Sequence, residues 1–444
     1  MNQAKWRVVL VVLVVMFFGV AESIQAQFRA KDPGVRGGPA GAGGALPGLT
    51  TAEREMFDVG LLDFNEAEEV DEGLGPRFNF TGCGGCHSQP AVGGTSPAAN
   101  PLVQIPGVLG FRNNVMPSFI TANGPIREAR FQFNRDGSRD GGVHALFVIS
   151  GHRDAPGCFI KQEDFETQVR NNNIAFRIPT PTFGTGLIEQ ISETTILNNL
   201  SSNSTTKSNL GISGRVNRNG NDGTITRFGW KAQNKSLIIF SAEAYNVEMG
   251  ITNEGFQQER DETASCQFAT VPNDVNVSVR QVSAISNFAN FQRFLAPPTP
   301  SPDTPGGKPS IDRGRQQFSS VGCVHCHTPT LRTSVNSTVV ALADKPANLY
   351  SDLALHQMGP NLADDILQGG ARGDEFRTAP LWGLGKRIFF LHDGRTTDLD
   401  KAIQEHKSAA SSKFGASEAN AVIDKYNRLG EGEQQDLLNF LRSL

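Results

Sequence analysis

Apolar residues near the C-terminus of the chain recur at the spacing of one helix face. Leu437, Leu438, Leu441 and Leu444 follow the i, i+1, i+4, i+7 rule, which predicts an amphipathic helix with that face packed inward. A second helical pattern begins at Thr51 and carries acidic residues in its first turns.

Strands and turns are predicted in the middle of the chain. Residues 145–149 (ALFVI) form a β-rich run, and the Asn219-Gly220 and Asp222-Gly223 pairs are turn signals. The 47 Gly and 24 Pro residues indicate much loop. We therefore predict a mainly α fold with extensive loop and some β structure.

The longest apolar run is at the N-terminus. It covers residues 8–20, follows Lys5 and Arg7, and precedes a small residue, Ala26. This pattern predicts a secretory signal peptide over residues 1–26, and the run is shorter than the ~20 residues of a membrane span. We expect a soluble, periplasmic protein, with an uncleaved anchor as the alternative.

Two segments rich in Gly and Pro divide the remaining chain. Residues 27–50 are predicted to form an extended, partly disordered arm, and residues 296–309 a stiff Pro-rich linker. These boundaries predict an N-terminal lobe over 51–295 and a C-terminal domain over 310–444. A net charge of −4 leaves no electrostatic footprint for nucleic acid.

Two CxxCH motifs carry the candidate chemistry. Cys83, Cys86 and His87 form the first motif, and Cys323, Cys326 and His327 form the second. In this motif the thiols form thioethers to a haem and the histidine binds its iron. Thiol-redox and zinc sites use CxxC pairs too, but they do not need the trailing histidine. We expect two covalently bound haem c groups, in two cytochrome c-like lobes.

Two cysteines remain outside the motifs. Cys158 and Cys266 make an even remainder in a chain predicted to be exported, so a disulfide between them is expected. Two separate buried thiols are the alternative.

The lobes resemble divergent copies of one unit. Phe228, Trp230 and Leu237 have the same spacing as Phe390, His392 and Leu399. The spacer from the haem motif to this segment is longer in the N-terminal copy, which predicts an insertion there that contains strands and hairpins.

The repeat suggests different iron ligands in the two lobes. His406 lies 14 residues after His392, on the apolar face of a predicted helix, and is the first candidate for the sixth ligand of the C-terminal haem; Met358 is its rival. The matching N-terminal position is Ala244, which cannot bind iron. The N-terminal haem is therefore predicted to have an open face, unless His144 or His152 closes it.

Peroxide chemistry at an open haem needs an acid–base group. Glu248 and Glu189 are the candidates, and an ordinary surface or capping carboxylate is the alternative for each.

Several motifs resemble a known family. They are residues 83–97 (CGGCHSQPAVGGTSP), 249–253 (MGITN), 350–353 (YSDL), 377–385 (RTAPLWGLG) and 391–395 (LHDGR). Together they are similar to the di-haem oxidoreductase (thiol oxidoreductase-like) family, which is related to bacterial di-haem cytochrome c peroxidases. The resemblance runs from about residue 40 to the end of the chain.

The resemblance implies roles for particular residues. In the peroxidases a Glu before a Met is the acid–base group at the N-terminal haem, and Glu248 matches that position. Where those enzymes place a Met ligand at the C-terminal haem, this chain has His406. Their Phe-Trp-Asp-Gly-Arg segment is replaced here by residues 228–232 (FGWKA). Apart from the resemblance, Trp230 and Trp382 are candidates for binding the haems, and Trp382 for transfer between them, with a buried place in the C-terminal core as its alternative.

These features predict a periplasmic di-haem oxidoreductase of the peroxidase type. Electrons are expected to pass from the C-terminal haem to the open N-terminal haem, which reduces peroxide. The alternatives are a pure electron-transfer cytochrome and an oxygenase or protein-oxidising enzyme. Expected partners are an electron-donor protein (a small cytochrome or cupredoxin) and hydrogen peroxide or another small oxidant. A calcium ion between the lobes is a further expected cofactor.

The mass of the purified protein should include two haems. Cys83→Ala with Cys86→Ala should remove one haem, and Cys323→Ala with Cys326→Ala the other, since each thioether needs its thiol. Intact-protein mass spectrometry measures this directly. A wild-type mass with one haem or none would contradict the prediction.

Overall fold

The computed structural model describes residues 29–261, 263–268 and 282–444 of the 444-residue chain. The predicted signal peptide lies outside these residues. Within the described ranges, no helix is both long and apolar enough to cross a membrane.

The structure is mainly helical, as predicted. Its helices are α1 (Thr51–Asn65), α2 (Cys83–Cys86), α3 (Ile105–Leu109), α4 (Phe165–Arg170), α5 (Thr185–Glu189), α6 (Glu193–Ser201), α7 (Ser204–Asn209), α8 (Leu237–Met249), α9 (Ala284–Phe294), α10 (Gly307–Val321), α11 (Gly359–Leu362), α12 (Leu399–Gln404), α13 (Asn420–Tyr426) and α14 (Glu431–Ser443). The predicted start of α1 is confirmed, because Thr50 and Glu53 form a reciprocal capping box there. The predicted C-terminal leucine face is also confirmed, and all four leucines are buried.

The strands are short and antiparallel. They are β1 (Arg77–Phe78), β2 (Glu128–Phe131), β3 (Val143–His144), β4 (Phe147–Val148), β5 (Ile174–Arg177), β6 (Asn217–Arg218), β7 (Ile225–Thr226), β8 (Leu331–Arg332), β9 (Pro346–Ala347), β10 (Leu355–Gln357) and β11 (Glu375–Arg377). Strand β2 lies between β3 and β5; the other pairs are β1 with β4, β6 with β7, β8 with β9 and β10 with β11. The predicted Asn219 and Asp222 turns fall in the β6–β7 hairpin, and the predicted apolar run contains β4.

Two pairs of helices cross at glycine residues. Helix α1 packs against α9 at Gly60, where an added Cβ would collide with the carbonyl oxygen of Asn287. Helix α10 packs against α14 in the same way at Gly314, facing the carbonyl oxygen of Asp436. A side chain at either glycine would force the helices apart, so these positions set how closely the pairs approach.

The repeated segment has the same local structure in both copies. An isolated antiparallel bridge joins Phe228 to Asn234, and an equivalent bridge joins Phe390 to Thr396. Helices α8 and α12 then begin at the two leucines that the sequence comparison aligned. Each is capped by a side chain, Ser236 in one copy and Asp398 in the other.

In the N-terminal arm, residues 29–50 form hydrogen bonds to other parts of the chain at several points, and the partial disorder of this arm stays a prediction. The Leu46 amide bonds to the Phe294 carbonyl oxygen, and the amides of Ala296 and Thr299 bond back to the arm. At its other end, Asp32 forms a buried ion pair with Arg442 of α14 at 2.6 Å. Backbone hydrogen bonds thus connect this glycine-rich stretch to the Pro-rich segment.

The expected disulfide is present. Cys158 and Cys266 are bonded and buried, with their Cα atoms 4.6 Å apart. This bond joins segments that are 108 residues apart in sequence.

Gly314→Ala should destabilise the protein. The new methyl group would lie 2.7 Å from the Phe440 Cβ atom as well as against the Asp436 carbonyl group. Overpacking of this kind typically costs about 1–3 kcal/mol in the free energy of unfolding. Gly432→Ala in α14 is the control, since nothing lies within 4 Å of its added Cβ. Denaturant unfolding followed by far-ultraviolet circular dichroism should separate the two variants; equal stabilities would contradict the crossing argument.

Candidate haem sites

The first haem motif lies at a cavity with an empty volume of about 1200 Å³. Cys83, Cys86 and His87 all line it. The His87 Nδ1 atom is 3.0 Å from the Gly94 carbonyl oxygen, and the Thr180 backbone is a second partner of the ring. Burial lowers the pKa of His87 to about 4, which keeps the imidazole neutral, as a metal ligand must be.

The second motif lies at a cavity of about 1420 Å³ that Cys323, Cys326 and His327 line. The His327 Nδ1 atom is 3.0 Å from the Tyr350 carbonyl oxygen, and burial lowers the pKa of His327 to about 4. Each motif therefore presents two thiols and one neutral histidine to a cavity. This donor set fits a covalently attached haem.

Thiol-redox chemistry does not fit these motifs. Burial raises the pKa of Cys323 to about 12 and also raises the pKa values of Cys83 and Cys86. A redox-active thiol needs a lowered pKa. Among the described residues, no group of three or more His, Cys, Asp or Glu side chains could hold a metal ion. Calcium therefore stays a prediction without a location.

Both predicted sixth-ligand candidates stand at the C-terminal cavity. His406 lines it, and its Nδ1 atom is 2.8 Å from the Ala402 carbonyl oxygen, a hydrogen bond that orients the ring. Met358 lines the same cavity.

His356 also lines this cavity, although the sequence did not single it out. Its Nε2 atom is 2.9 Å from an Asp352 carboxylate oxygen, and its Nδ1 atom is 2.8 Å from a Glu418 carboxylate oxygen. Because both ring nitrogens are engaged, His356 has none left for iron. Asp352 lies four residues before His356, but Glu418 is distant in sequence, so only the fold brings Glu418 to this ring.

The N-terminal cavity has a different wall. Ala244 and Glu248 of α8 line it. Among the described residues that line this cavity, His87 is the one histidine. His144 instead stacks on Phe131 at 3.8 Å, and His152 packs against Phe111; neither lines this cavity.

Glu248 has an unusual electrostatic environment. Burial is the main cause that raises the pKa of Glu248 to about 8, and the acidic side chains of Glu128 and Glu243 add to it, while Arg130 opposes it. The carboxyl group is therefore protonated at neutral pH and close to its titration point. Such a group can donate or accept a proton at the cavity.

Glu189 is placed elsewhere. Its carboxylate forms an ion pair with Arg293 at 2.8 Å and accepts a hydrogen bond from the Leu237 amide at the start of α8 at 3.0 Å. It lines no haem cavity. The position of Glu189 is that of a helix-capping carboxylate, which was the alternative considered for it. A carboxylate outside the haem cavities does not fit an acid–base role there.

Trp230 borders both haem cavities. Its Nε1 atom donates to the Ile178 carbonyl oxygen at 3.1 Å, and the residue is 8% exposed. Trp382 lines neither haem cavity. It lines a smaller cavity of about 500 Å³ that Trp230 also borders, and it packs with residues of the N-terminal half such as Leu187 and Phe228. The side chain between the two haem cavities is therefore Trp230.

Comparison with known proteins identifies a family. The family model described as "Di-haem oxidoreductase, putative peroxidase" matches residues 127–444. No curated protein matches.

Three solved structures show weak likeness. Hydrazine synthase from Kuenenia stuttgartiensis is 18% identical with a TM-score of 0.24, over 36% of this chain and 55% of that one, so the chain matches about half of it. A MauG-like protein associated with microbial copper homeostasis is 19% identical, with a TM-score of 0.27, over 57% and 89%. A variant of the diheme peroxidase BthA from Burkholderia thailandensis is 14% identical, with a TM-score of 0.31, over 52% and 68%.

Glu248 should ionise near pH 8 rather than near its ordinary pKa of 4.5. Infrared difference spectra should show a carboxylic acid band that disappears as the pH rises through about 8, and Glu248→Gln should lack that titration. The raised pKa favours the folded state only while the carboxyl is protonated. Wild-type stability relative to Glu248→Gln should therefore fall as the pH rises from 4.5 toward about 8. A band that titrates near pH 4.5 would contradict the assignment.

Proposed function

The chain belongs to the di-haem oxidoreductase family, and we propose that it is a periplasmic c-type enzyme of the peroxidase type. In this proposal electrons pass from the C-terminal haem to an open N-terminal haem that reduces peroxide. The observation that carries the proposal is the difference between the cavities. Glu248 and Ala244 line the N-terminal cavity, whereas His406 lines the C-terminal one.

Each haem would be held by its own motif. Cys83, Cys86 and His87 serve the N-terminal site, and Cys323, Cys326 and His327 serve the C-terminal site. Bound haem supplies a redox-active iron that can take up a small oxidant where a coordination position is free. His406, whose ring is oriented by the hydrogen bond of its Nδ1 atom, is proposed as the second C-terminal ligand in preference to Met358, which among the described residues has only a backbone hydrogen bond, to Asp374.

Glu248 is proposed as the group that moves the proton. A peroxide needs a proton carried from one oxygen to the other as its O–O bond breaks. With a pKa of about 8, the carboxyl group can give up and regain a proton near neutral pH at little cost.

Trp230 is proposed as the contact between the two haems. Its indole borders both cavities, and its hydrogen bond to Ile178 fixes the ring. Phe376 and His392 add packed rings on the C-terminal side, where they stack at 4.2 Å. These contacts form a continuous packed route across the junction.

The setting of this enzyme is also proposed. Two cytochrome c-like lobes, at 51–295 and 310–444, would each hold one haem, with the additional strands of the N-terminal lobe as an insertion. The charged and apolar pattern of residues 1–26 supports export to the periplasm. A small cytochrome or cupredoxin would supply electrons.

A pure electron-transfer cytochrome is the main competing function. It requires both irons to be six-coordinate, whereas no second histidine among the described residues lines the N-terminal cavity. A high-spin ferric signal and carbon monoxide binding to the reduced protein would favour the open-haem proposal. An oxygenase or protein-oxidising enzyme would show the same spectrum and must be separated by substrate assays.

Glu248→Gln should lower peroxide turnover by about 100-fold or more, because loss of a positioned acid–base group has that effect. The variant should keep both haems and the resting spectrum. Turnover is measured with peroxide and a reduced electron donor. Glu189→Gln is the matched control: it removes one carboxylate outside the cavity and should keep its turnover per haem. Unchanged turnover in the Glu248 variant would remove Glu248 from the mechanism, and an inactive wild type would favour the competing functions.

A further inference from the structure

Two arginines lie together at the wall of the C-terminal haem cavity. Arg377 ends strand β11 and is 7% exposed, while Arg387 follows the Trp382 segment and is half-buried. Both line the C-terminal cavity and also the small cavity that Trp230 and Trp382 border. They therefore mark the edge of the C-terminal cavity that faces the N-terminal one.

No carboxylate compensates these two charges. Among the described residues, no acidic side chain forms an ion pair with Arg377 or Arg387 within 4.0 Å. The Arg377 Nε atom donates to the Gly229 carbonyl oxygen at 3.0 Å. Burial, and to a smaller extent a neighbouring arginine, lowers the pKa of each guanidinium group to about 10. Both remain positively charged at neutral pH.

The neighbouring arginines are compensated. Arg442, next to Arg387, pairs with Asp32. At the N-terminal cavity, Arg177 pairs with Asp364 at 2.6 Å, and Arg130 pairs with Glu128. Buried charges are normally paired, so the two uncompensated guanidinium groups point to an anion supplied by a bound group. Arginine also presents a planar fork of donors that matches a carboxylate.

We propose that Arg377 and Arg387 bind the propionate groups of the C-terminal haem and hold them at the edge of the cavity nearest Trp230. The propionates are the only anionic groups that a haem carries on its ring edge. The assignment rests on haem binding alone and not on peroxide chemistry.

Such a pair affects the reduction equilibrium of this haem. A positive charge beside the propionates offsets their negative charge, and in a low-dielectric site that offset acts strongly on the iron. Because reduction adds one electron, the arginines favour the ferrous state.

Arg387→Gln tests the proposal, with Arg377→Gln as a second variant. Each should lower the equilibrium constant for reduction of the C-terminal haem about tenfold, which is about 59 mV for a one-electron couple. Spectroelectrochemical titration of the haem-loaded protein follows the low-spin signal, and the pyridine haemochrome assay checks that two haems remain. Arg387→Lys keeps the charge and should restore most of the potential.

Arg428→Gln is the matched control, since it removes one arginine charge from an exposed position of the same domain and should leave the potential unchanged. Three outcomes would overturn the proposal. In the first, the Arg377 and Arg387 variants have the same C-terminal haem potential as the Arg428 control. In the second, Arg387→Lys lowers that potential as much as Arg387→Gln does. In the third, the potential of the N-terminal haem shifts instead. The last outcome would assign the pair to the other haem.

Discussion

The close crossing of two helices at a glycine is the constraint on which both haem sites depend. Gly60 brings α1 against α9, and Gly314 brings α10 against α14, with a backbone carbonyl group where a side chain would otherwise lie. One turn further along the same helix face stand Phe64 and Phe318. Their ring centroids lie 5.9 Å from that of His87 and 6.3 Å from that of His327. The approach of the helices therefore positions the aromatic ring against which each proximal histidine packs.

Local patterns in the sequence predicted the elements of this arrangement well. Phe228 and Leu237 have the same spacing as Phe390 and Leu399. In both copies the Phe forms a β-bridge and the Leu begins a helix. Capping and amphipathic patterns also placed α1 and α14 correctly. These predictions depended on residues a few positions apart, where backbone geometry alone determines which side chains meet.

Long-range contacts were harder to predict. The hydrogen bonds of the N-terminal arm join it to residues more than 200 positions away, and composition cannot show such contacts. Glu248 was the first candidate in sequence and Glu189 the second, and the fold separates the carboxylate that caps α8 from the one at the cavity. Trp382 and Trp230 were separated in the same way.

The two cavities share a donor set and differ in how their buried charge is compensated. At the N-terminal cavity Arg130 and Arg177 have acidic partners and Arg127 donates to the Asp393 carbonyl oxygen, while Glu248 stays protonated at neutral pH, which lowers the cost of its poorly solvated position. At the C-terminal cavity the uncompensated groups are arginines, which cannot discharge at neutral pH. A neutral carboxyl group can exchange a proton with a bound oxidant. A fixed positive charge exchanges no proton and instead favours the reduced state of a nearby haem. In the proposed function, the same helical frame thus supports proton chemistry at one cavity and electron storage at the other, and Trp230 borders both.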